Sequence, residues 1–225
     1  HPELYQSLKA HHHFLALNQF IEASPWAGRL ILNRPALYLN HFLDGIWDSP
    51  LDLSIYPINT ENEDKASICL RQVRNQLLLK MGYRDINHRD DIMIINRDLT
   101  LIADFFCEQA LNIAYEITSR NNEIPTDESG KAIQPYIIGM GKMGGYELNF
   151  SSDIDLIFGY AGDDAHFFHK VARRFIHLLH NRTEDGFVYR VDLRLRPFGS
   201  SGPIALSTHA MVSYYFQYGR DWERY

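Results

Sequence analysis

The chain has 225 residues, of which 45% are apolar and 22% charged, and its formal net charge is −6. This composition is ordinary for a globular protein and gives enough chain for one large domain or two small ones. The acidic balance disfavours a nonspecific DNA- or RNA-binding protein, which would be basic overall.

The cysteines and the apolar runs point away from secretion and from membranes. Cys69 and Cys107 lie far apart, which predicts free thiols in a reducing compartment. No apolar run approaches the ~20 residues of a membrane span, and no signal peptide is visible. We therefore expect a cytoplasmic protein without a membrane partner. The segment before Tyr225 carries no helix stop signal, so we also expect a piece of a longer protein.

Residues 1–97 are predicted to form a helical region that prolines break into short pieces. Apolar residues at helical spacing predict one helix around residues 14–21 and another over residues 65–83, with its basic residues outward. Asp98 is the predicted N-cap of a long helix that ends near residue 120. The predicted domains are therefore a helical region, 1–97, and a second domain, 98–225, truncated at its C-terminal side.

Beyond a polar loop that ends near residue 134, strand patterns replace helical ones. "PYIIGM" and "SDIDLIFGY" predict two strands, and Asp164 can cap a helix over residues 165–182. Apolar and polar residues alternate in "GFVYRVDLRLRP", residues 186–197, which predicts a third strand. This order of elements predicts an α+β fold, in which a mixed sheet with helices follows the helical region.

Two carboxylates interrupt the second of these strands. Asp153 and Asp155 are two residues apart, so their side chains lie on one face of the strand while Ile154 and Leu156 enter the core. In the third predicted strand, Asp192 shares a face with arginines. Three carboxylates brought together would repel one another. A divalent cation would remove this repulsion, since Mg²⁺ prefers oxygen ligands.

The sequence therefore predicts a metal-dependent phosphoryl-transfer site. Asp153, Asp155 and Asp192 are the predicted catalytic residues and ligands of Mg²⁺ or Mn²⁺. Arg194 and Arg196 are the predicted contacts of the phosphate groups, because one guanidinium group can donate to two phosphate oxygens at once.

A glycine-rich segment precedes the carboxylates and supplies the predicted nucleotide contacts. Gly141, Lys142, Gly144 and Gly145 lie where the backbone can bend sharply and turn N–H groups toward phosphate. Ser152 is either a further phosphate contact or a turn residue. The segment is not a Walker A loop, and a dinucleotide-binding fold is disfavoured because a strand follows where that motif requires a helix.

These residues resemble the nucleotidyltransferase superfamily, whose pattern is an apolar residue, Gly, Gly or Ser, and later Asp-x-Asp. Met140 and Gly141 fit this pattern, and ten residues separate Lys142 from Asp153. Lys142 replaces the expected Gly or Ser, which leaves open which backbone N–H groups contact phosphate. Asp192 matches the third carboxylate of the superfamily.

Three longer segments resemble one family within it: "GMGKMGGYELNFSSDIDLIF", "RVDLRLRPFGSSGP" and "YYFQYGRDWERY". The family is that of the bifunctional glutamine synthetase adenylyltransferase/adenylyl-removing enzyme, which has two related halves. One half removes AMP from a tyrosine of glutamine synthetase by phosphorolysis, giving ADP, and the other adds AMP from ATP. "ELNFSSDIDL" resembles the adenylyl-removing half, whereas the other half tends to read "ELGYGSDLDL".

The resemblance implies a metal-dependent adenylyl-removing enzyme with phosphate and ADP as small ligands. It also implies glutamine synthetase and a PII-type signal protein as partners, and no DNA or RNA. Three alternatives stay open. They are the AMP-adding half of the same family, a different nucleotidyltransferase acting on a small molecule or RNA, and a non-catalytic regulatory module that binds the signal protein.

Overall fold

The computed structural model describes residues 2–58 and 61–220. Within them, helices form most of the first half and a small mixed sheet appears in the second. The helices are α1 Pro2–Ala10, α2 Phe14–Ala23, α3 Pro25–Asn33, α4 Pro35–Leu43, α5 Glu63–Ile86, α6 Ile92–Ser119, α7 Gly141–Gly144, α8 Ala165–His180 and α9 Thr208–Gln217. The strands are β1 Pro135–Met140, β2 Ile154–Tyr160, β3 Val191–Asp192 and β4 Ala205–Ser207. The predicted α+β fold with a preceding helical region is confirmed.

Strand β2 is the centre of the sheet. Strand β1 pairs with it in antiparallel register along one edge, with Met140 opposite Asp155. On the other edge, β3 runs parallel to the start of β2 and β4 runs parallel to its end. The start of β2, the end of β1 and the whole of β3 therefore meet at one corner of the sheet.

The predicted third strand is wrong in length, because only Val191 and Asp192 pair with β2. After them, the backbone N–H of Arg194 donates to the Asp192 carboxylate at 2.8 Å, which turns the chain out of the ladder. Before them, the N–H groups of Val188 and Tyr189 both donate to the carbonyl of Leu179 at the end of α8. Alternation alone did not reveal these competing partners.

The predicted start of the long helix is also wrong. Helix α6 begins at Ile92, and Asp91 is its N-cap, because its carboxylate accepts from the N–H of Met93 at 2.8 Å. Asp98 lies within the helix and is 5% exposed, with an ion pair to Arg97. The boundary placed between residues 97 and 98 therefore falls inside a continuous helix, and the division into domains stays a prediction.

The two largest clusters of buried apolar side chains in the described residues share α5, and a third, small cluster joins Ile157, Leu206 and Met211. One large cluster joins α5 and α6 to the sheet and α8, and the other joins α5 to α1–α4. The basic residues of α5 do not all face outward as predicted, since Arg71 and Lys80 are both fully buried. The predicted cap of α8 is confirmed, because the Asp164 carboxylate accepts from the N–H of Phe167 at 3.1 Å.

Candidate active site

The register of the sheet brings two of the three carboxylates side by side. Asp155 on β2 and Asp192 on β3 are direct Cα partners in the parallel ladder. Asp153 lies one residue before β2, and its side chain is 45% exposed, compared with 13% for that of Asp192. The third predicted strand therefore places its aspartate as expected, although the strand itself is short.

Asp155 experiences the charges of the other two carboxylates. The pKa of Asp155 is raised above its usual value, first by burial and then by the charges of Asp192 and Asp153. Like charges close together disfavour the ionised form, so this corner of the sheet needs a compensating cation.

Two arginines provide that compensation in this structure. The Arg190 guanidinium pairs with the Asp153 carboxylate and also donates to the carbonyl of Ser151 at 2.6 Å. The Arg194 guanidinium donates to both carboxylate oxygens of Asp192, with Nε at 2.8 Å from Oδ2. This contact lowers the pKa of Asp192. The Arg194 side chain is 80% exposed, so solvent screens the pair strongly and it can open at little cost.

Arg196 was predicted to contact phosphate, but the structure places it among main-chain carbonyls. Its guanidinium is buried and donates to the main-chain carbonyls of Leu193, Ser200, Gly202 and Pro203. These bonds fix the turn that follows β3 and leave the guanidinium facing protein rather than the carboxylates.

Ser152 is likewise engaged within its own loop. Its hydroxyl accepts from the N–H of Asn149 at 3.1 Å, and its N–H donates back to the carbonyl of Asn149 at 3.2 Å. Of the two roles considered for Ser152, the structure shows the turn. A phosphate contact would require this loop to open.

The glycine-rich segment lies directly against the carboxylates. Gly141 begins the short helix α7 with φ of +54°, and a Cβ there would be 2.8 Å from the Asp155 Oδ2 atom. At Gly144, a Cβ would be 2.8 Å from the carbonyl oxygen of Gly139. Lys142 and Gly145 are exposed beside them. The segment therefore brings backbone close to Asp155, as glycines at these positions predict.

The donor set fits a hard divalent cation, since it consists of carboxylate oxygens only. In the described part of the chain, however, no three His, Cys, Asp or Glu side chains are grouped so that they could hold a metal ion. Arg190 and Arg194 occupy the carboxylates of Asp153 and Asp192 instead. Binding of a cation by these aspartates therefore stays a prediction, and it requires the arginines to change partners.

The Arg190–Asp153 pair was not foreseen, although the sequence held a signal for it. Once Asp155 is aligned with Asp192, counting back two residues on each strand places Arg190 beside Asp153. Phe187 was also overlooked, and its ring lies 5.6 Å from the guanidinium carbon of Arg190 and 5.6 Å from that of Arg74.

The mixed sheet, the glycine turn against Asp155 and the adjacent aspartates define a nucleotidyltransferase-type α+β domain. The family profile described as glutamate-ammonia ligase adenylyltransferase matches residues 16–225. The chain belongs to this family.

Curated relatives from several bacteria support the assignment, and each is named bifunctional glutamine synthetase adenylyltransferase/adenylyl-removing enzyme. The protein of Thioalkalivibrio sulfidiphilus is 35% identical over 93% of this chain and 23% of its own length. The protein of Mannheimia succiniciproducens is 37% identical over 93% of this chain and 23% of its own length. The protein of Pasteurella multocida is 43% identical over 73% of this chain and 18% of its own length. The chain thus spans about a quarter or less of the length of these relatives.

The third resembling segment, "YYFQYGRDWERY", is only partly described. Its first part forms the end of α9, whereas residues 221–225 lie outside the described residues.

Proposed function

We propose that this chain removes AMP from an adenylylated tyrosine of glutamine synthetase by phosphorolysis, with ADP as the product. The observation that carries the proposal is the juxtaposition of Asp155 and Asp192 on paired strands, with Asp153 and the Gly141 turn beside them. The family assignment supports the same chemistry, because its members are named for the transfer and removal of adenylyl groups.

The chemical difficulty of this reaction is charge. Inorganic phosphate and the phosphodiester are both anionic, so the site must supply positive charge where the two meet. Asp153, Asp155 and Asp192 would hold Mg²⁺ or Mn²⁺, whose charge would polarise the phosphoryl oxygens when bound. Arg194, which is exposed and pairs with Asp192 among the described residues, can turn its guanidinium to an incoming phosphate.

The bond changes are those of a single displacement. An oxygen of inorganic phosphate attacks the phosphorus of AMP, and the bond from that phosphorus to the tyrosine oxygen breaks. The leaving phenolate takes a proton from solvent, and its usual pKa of ~10 makes it a tolerable leaving group. Phosphate is already ionised near neutral pH, so no general base from the chain is required. The attacking phosphate becomes the terminal phosphate of ADP.

The direction of reaction rests on the motif variants. "ELNFSSDIDL" and "VDLRLRPFGSSGP" resemble the adenylyl-removing half rather than the half that adds AMP from ATP. Glutamine synthetase is therefore the proposed protein partner, and a PII-type signal protein is the proposed regulator. In the described residues, no helix is both long and apolar enough to cross a membrane.

The test identifies the nucleotide that is released. Adenylylated glutamine synthetase is incubated with the chain, phosphate and Mg²⁺ or Mn²⁺, and the products are separated by chromatography. We expect ADP, and no release when phosphate or the metal is omitted. Release of AMP in phosphate-free buffer, or incorporation of labelled AMP from ATP, would contradict the proposal. A full-length relative, such as the protein of Thioalkalivibrio sulfidiphilus, serves as a positive control for the assay.

A further inference from the structure

A cavity of about 340 Å³ lies beside the candidate site, between the N-terminal helices and the loop that leads into β2. We call it the aromatic pocket. Three of its lining residues carry aromatic rings, and α5 contributes one cation and one carboxylate. The residues that matter here are Phe20, Trp26, Arg74, Leu78, Asp85 and Phe150. Its volume lies in the range of small-ligand sites, about 300–1,000 Å³.

The rim and the floor of the aromatic pocket differ in exposure. Phe20 and Leu78 form a buried floor, with exposed fractions of 1% and 5%. Trp26 on α3 and Phe150 in the loop before β2 line the same pocket, and each is 37% exposed. Large aromatic side chains left exposed around an apolar cavity are typical of a surface on which a flat ring stacks.

Arg74 makes the aromatic pocket suitable for a ligand that carries a hydrogen-bond acceptor. Among the described residues it has no carboxylate partner, and its Nε atom has no hydrogen-bond partner. Its Nη1 donates to the side-chain oxygen of Asn75 at 3.2 Å. Burial lowers the pKa of Arg74, so its charge lacks full solvation. The Nε atom is itself buried, so an electron-rich ring nitrogen would accept from the terminal N–H groups of the Arg74 guanidinium. The carboxylate of Asp85 would accept from an amino group.

The aromatic pocket is close to the reacting groups. Phe150 precedes Asp153 by three residues, so their Cα atoms lie within about 11 Å of each other, given ~3.6 Å per extended residue. On the other side, the ring of Phe187 is shared by Arg74 and by Arg190, which pairs with Asp153. A nucleotide with its base in the pocket can therefore direct its phosphate toward Asp153.

We propose that the aromatic pocket binds the adenine ring of the AMP group, with Trp26 as a stacking partner and Arg74 and Asp85 as hydrogen-bonding partners. Adenine combines the flat surface, the acceptor nitrogens and the amino donor that these residues require. The inference rests on the proposed function, because it assigns a place to the base of the nucleotide that the reaction releases. The helical region would then supply part of the nucleotide site.

Equilibrium dialysis of the 225-residue chain tests the proposal, with ADP in one arm, ribose 5-phosphate in the other and Mg²⁺ in both. The variants are Trp26→Leu, which removes the stacking surface, and Trp26→Phe, which keeps a smaller one. Leu32→Ala is the matched control, because Leu32 lies on the same helix, is 78% exposed and lies outside the pocket lining. Unfolding midpoints verify that each variant folds.

For ADP, we expect Trp26→Leu to weaken binding about tenfold, as for the loss of one stacked base. Trp26→Phe should restore most of this affinity, and Leu32→Ala should bind as the unsubstituted chain does. Ribose 5-phosphate should bind equally to all four proteins. Equal affinity of Trp26→Leu and the unsubstituted chain for ADP would overturn the proposal, and so would absence of ADP binding at millimolar concentration.

The binding test of the aromatic pocket and the product test of the proposed function can succeed or fail independently. If the chain releases ADP from adenylylated glutamine synthetase and Trp26→Leu still binds ADP normally, the aromatic pocket is refuted and the function stands. If ADP binding depends on Trp26 but no phosphorolysis occurs, the function fails and the aromatic pocket stands.

Discussion

Charged side chains in two regions of the molecule are paired in opposite ways. On α5, Arg71 and Lys80 are fully buried and donate mainly to main-chain carbonyls, such as those of Gly186 and Pro50. At the corner of the sheet, Arg190 is 45% exposed and Arg194 80% exposed, and both pair with carboxylates.

The difference in burial separates a structural role from a functional one. A buried guanidinium that loses its partners leaves polar groups unsatisfied, which costs several kcal/mol. An exposed ion pair contributes about 0–1 kcal/mol, so it can exchange one partner for another. We therefore expect substitutions of Arg71 or Lys80 to change stability and substitutions at the sheet corner to change activity.

The largest effect should come from Asp153→Asn. Loss of this carboxylate should lower the rate of ADP release by about 10³-fold, which is ~4 kcal/mol of transition-state stabilisation. The unfolding midpoint of the metal-free protein should change little, because removal of one like charge near Asp155 offsets the loss of the exposed pair with Arg190. Asp163→Asn is the control, since Asp163 is exposed and lies outside the site. Loss of folding in Asp153→Asn would identify Asp153 as a structural residue.

Arg71→Met should act on stability alone. Arg71 donates to the carbonyls of Gly186, Asn181 and Ser67, so its loss should cost about 2–4 kcal/mol in the free energy of unfolding. Urea denaturation measures the change. Arg173→Met, at an exposed position of α8, should stay within ~0.5 kcal/mol. Equal stability of the two variants would remove the distinction drawn between buried and exposed charge.

Arg194 and Arg196 sharpen the comparison because they lie two residues apart. Arg194→Ala should raise the apparent KM for phosphate about 10- to 100-fold, as for a lost charge-assisted contact, with little change in stability. Arg196→Ala should instead lower the free energy of unfolding by about 1–3 kcal/mol, because it leaves carbonyls of the turn without donors. Steady-state kinetics and urea denaturation of both variants are needed. A reversed pattern would restore Arg196 as the phosphate contact.

The smallest effect concerns pH. Burial and the charges of Asp192 and Asp153 raise the pKa of Asp155 above its ordinary 3.8. The folded chain therefore binds a proton at Asp155 more tightly than the unfolded chain does. The resulting stability is present below pH 3.8 and is lost as pH rises through the folded-state pKa. In metal-free buffer, Asp155→Asn should therefore raise the unfolding midpoint by roughly 1–3 °C at pH 7 and not at pH 3. An equal gain at both pH values would show that charge is not the cause.

The fold was predictable where apolar periodicity and local capping agree. Helix α8 has both its cap at Asp164 and a buried stripe, and β2 has an apolar run bounded by loop residues. The length of the third strand was not predictable. The Asp192 carboxylate and the carbonyl of Leu179 at the end of α8 accept from backbone N–H groups on either side of β3, and the sequence does not show these bonds. The start of α6 was misplaced because Asp91 and Asp98 are both suitable N-caps, and only packing decides between them.

In the candidate site, the residue types were predictable and their partners were not. Spacing of two on a strand was enough to associate Asp153 with Asp155. Alternation in the third predicted strand singled out Asp192, which the resemblance then matched to a third carboxylate. The separate environments of Arg194 and Arg196 depend on the turn that follows Asp192. Period-two alternation assigned both arginines to one face, since it assumes a straight strand.

Helix α5 has a consequence for how the molecule opens. It supplies Leu79 and Tyr83 to the cluster with α1–α4, and Leu77 and Met81 to the cluster with the sheet. Separation of either cluster would expose one side of the same helix to water, so neither can melt without weakening the other. We therefore expect the amides of central α5 to exchange with solvent only through global unfolding. The helical region and the sheet would then behave as a single cooperative folding unit.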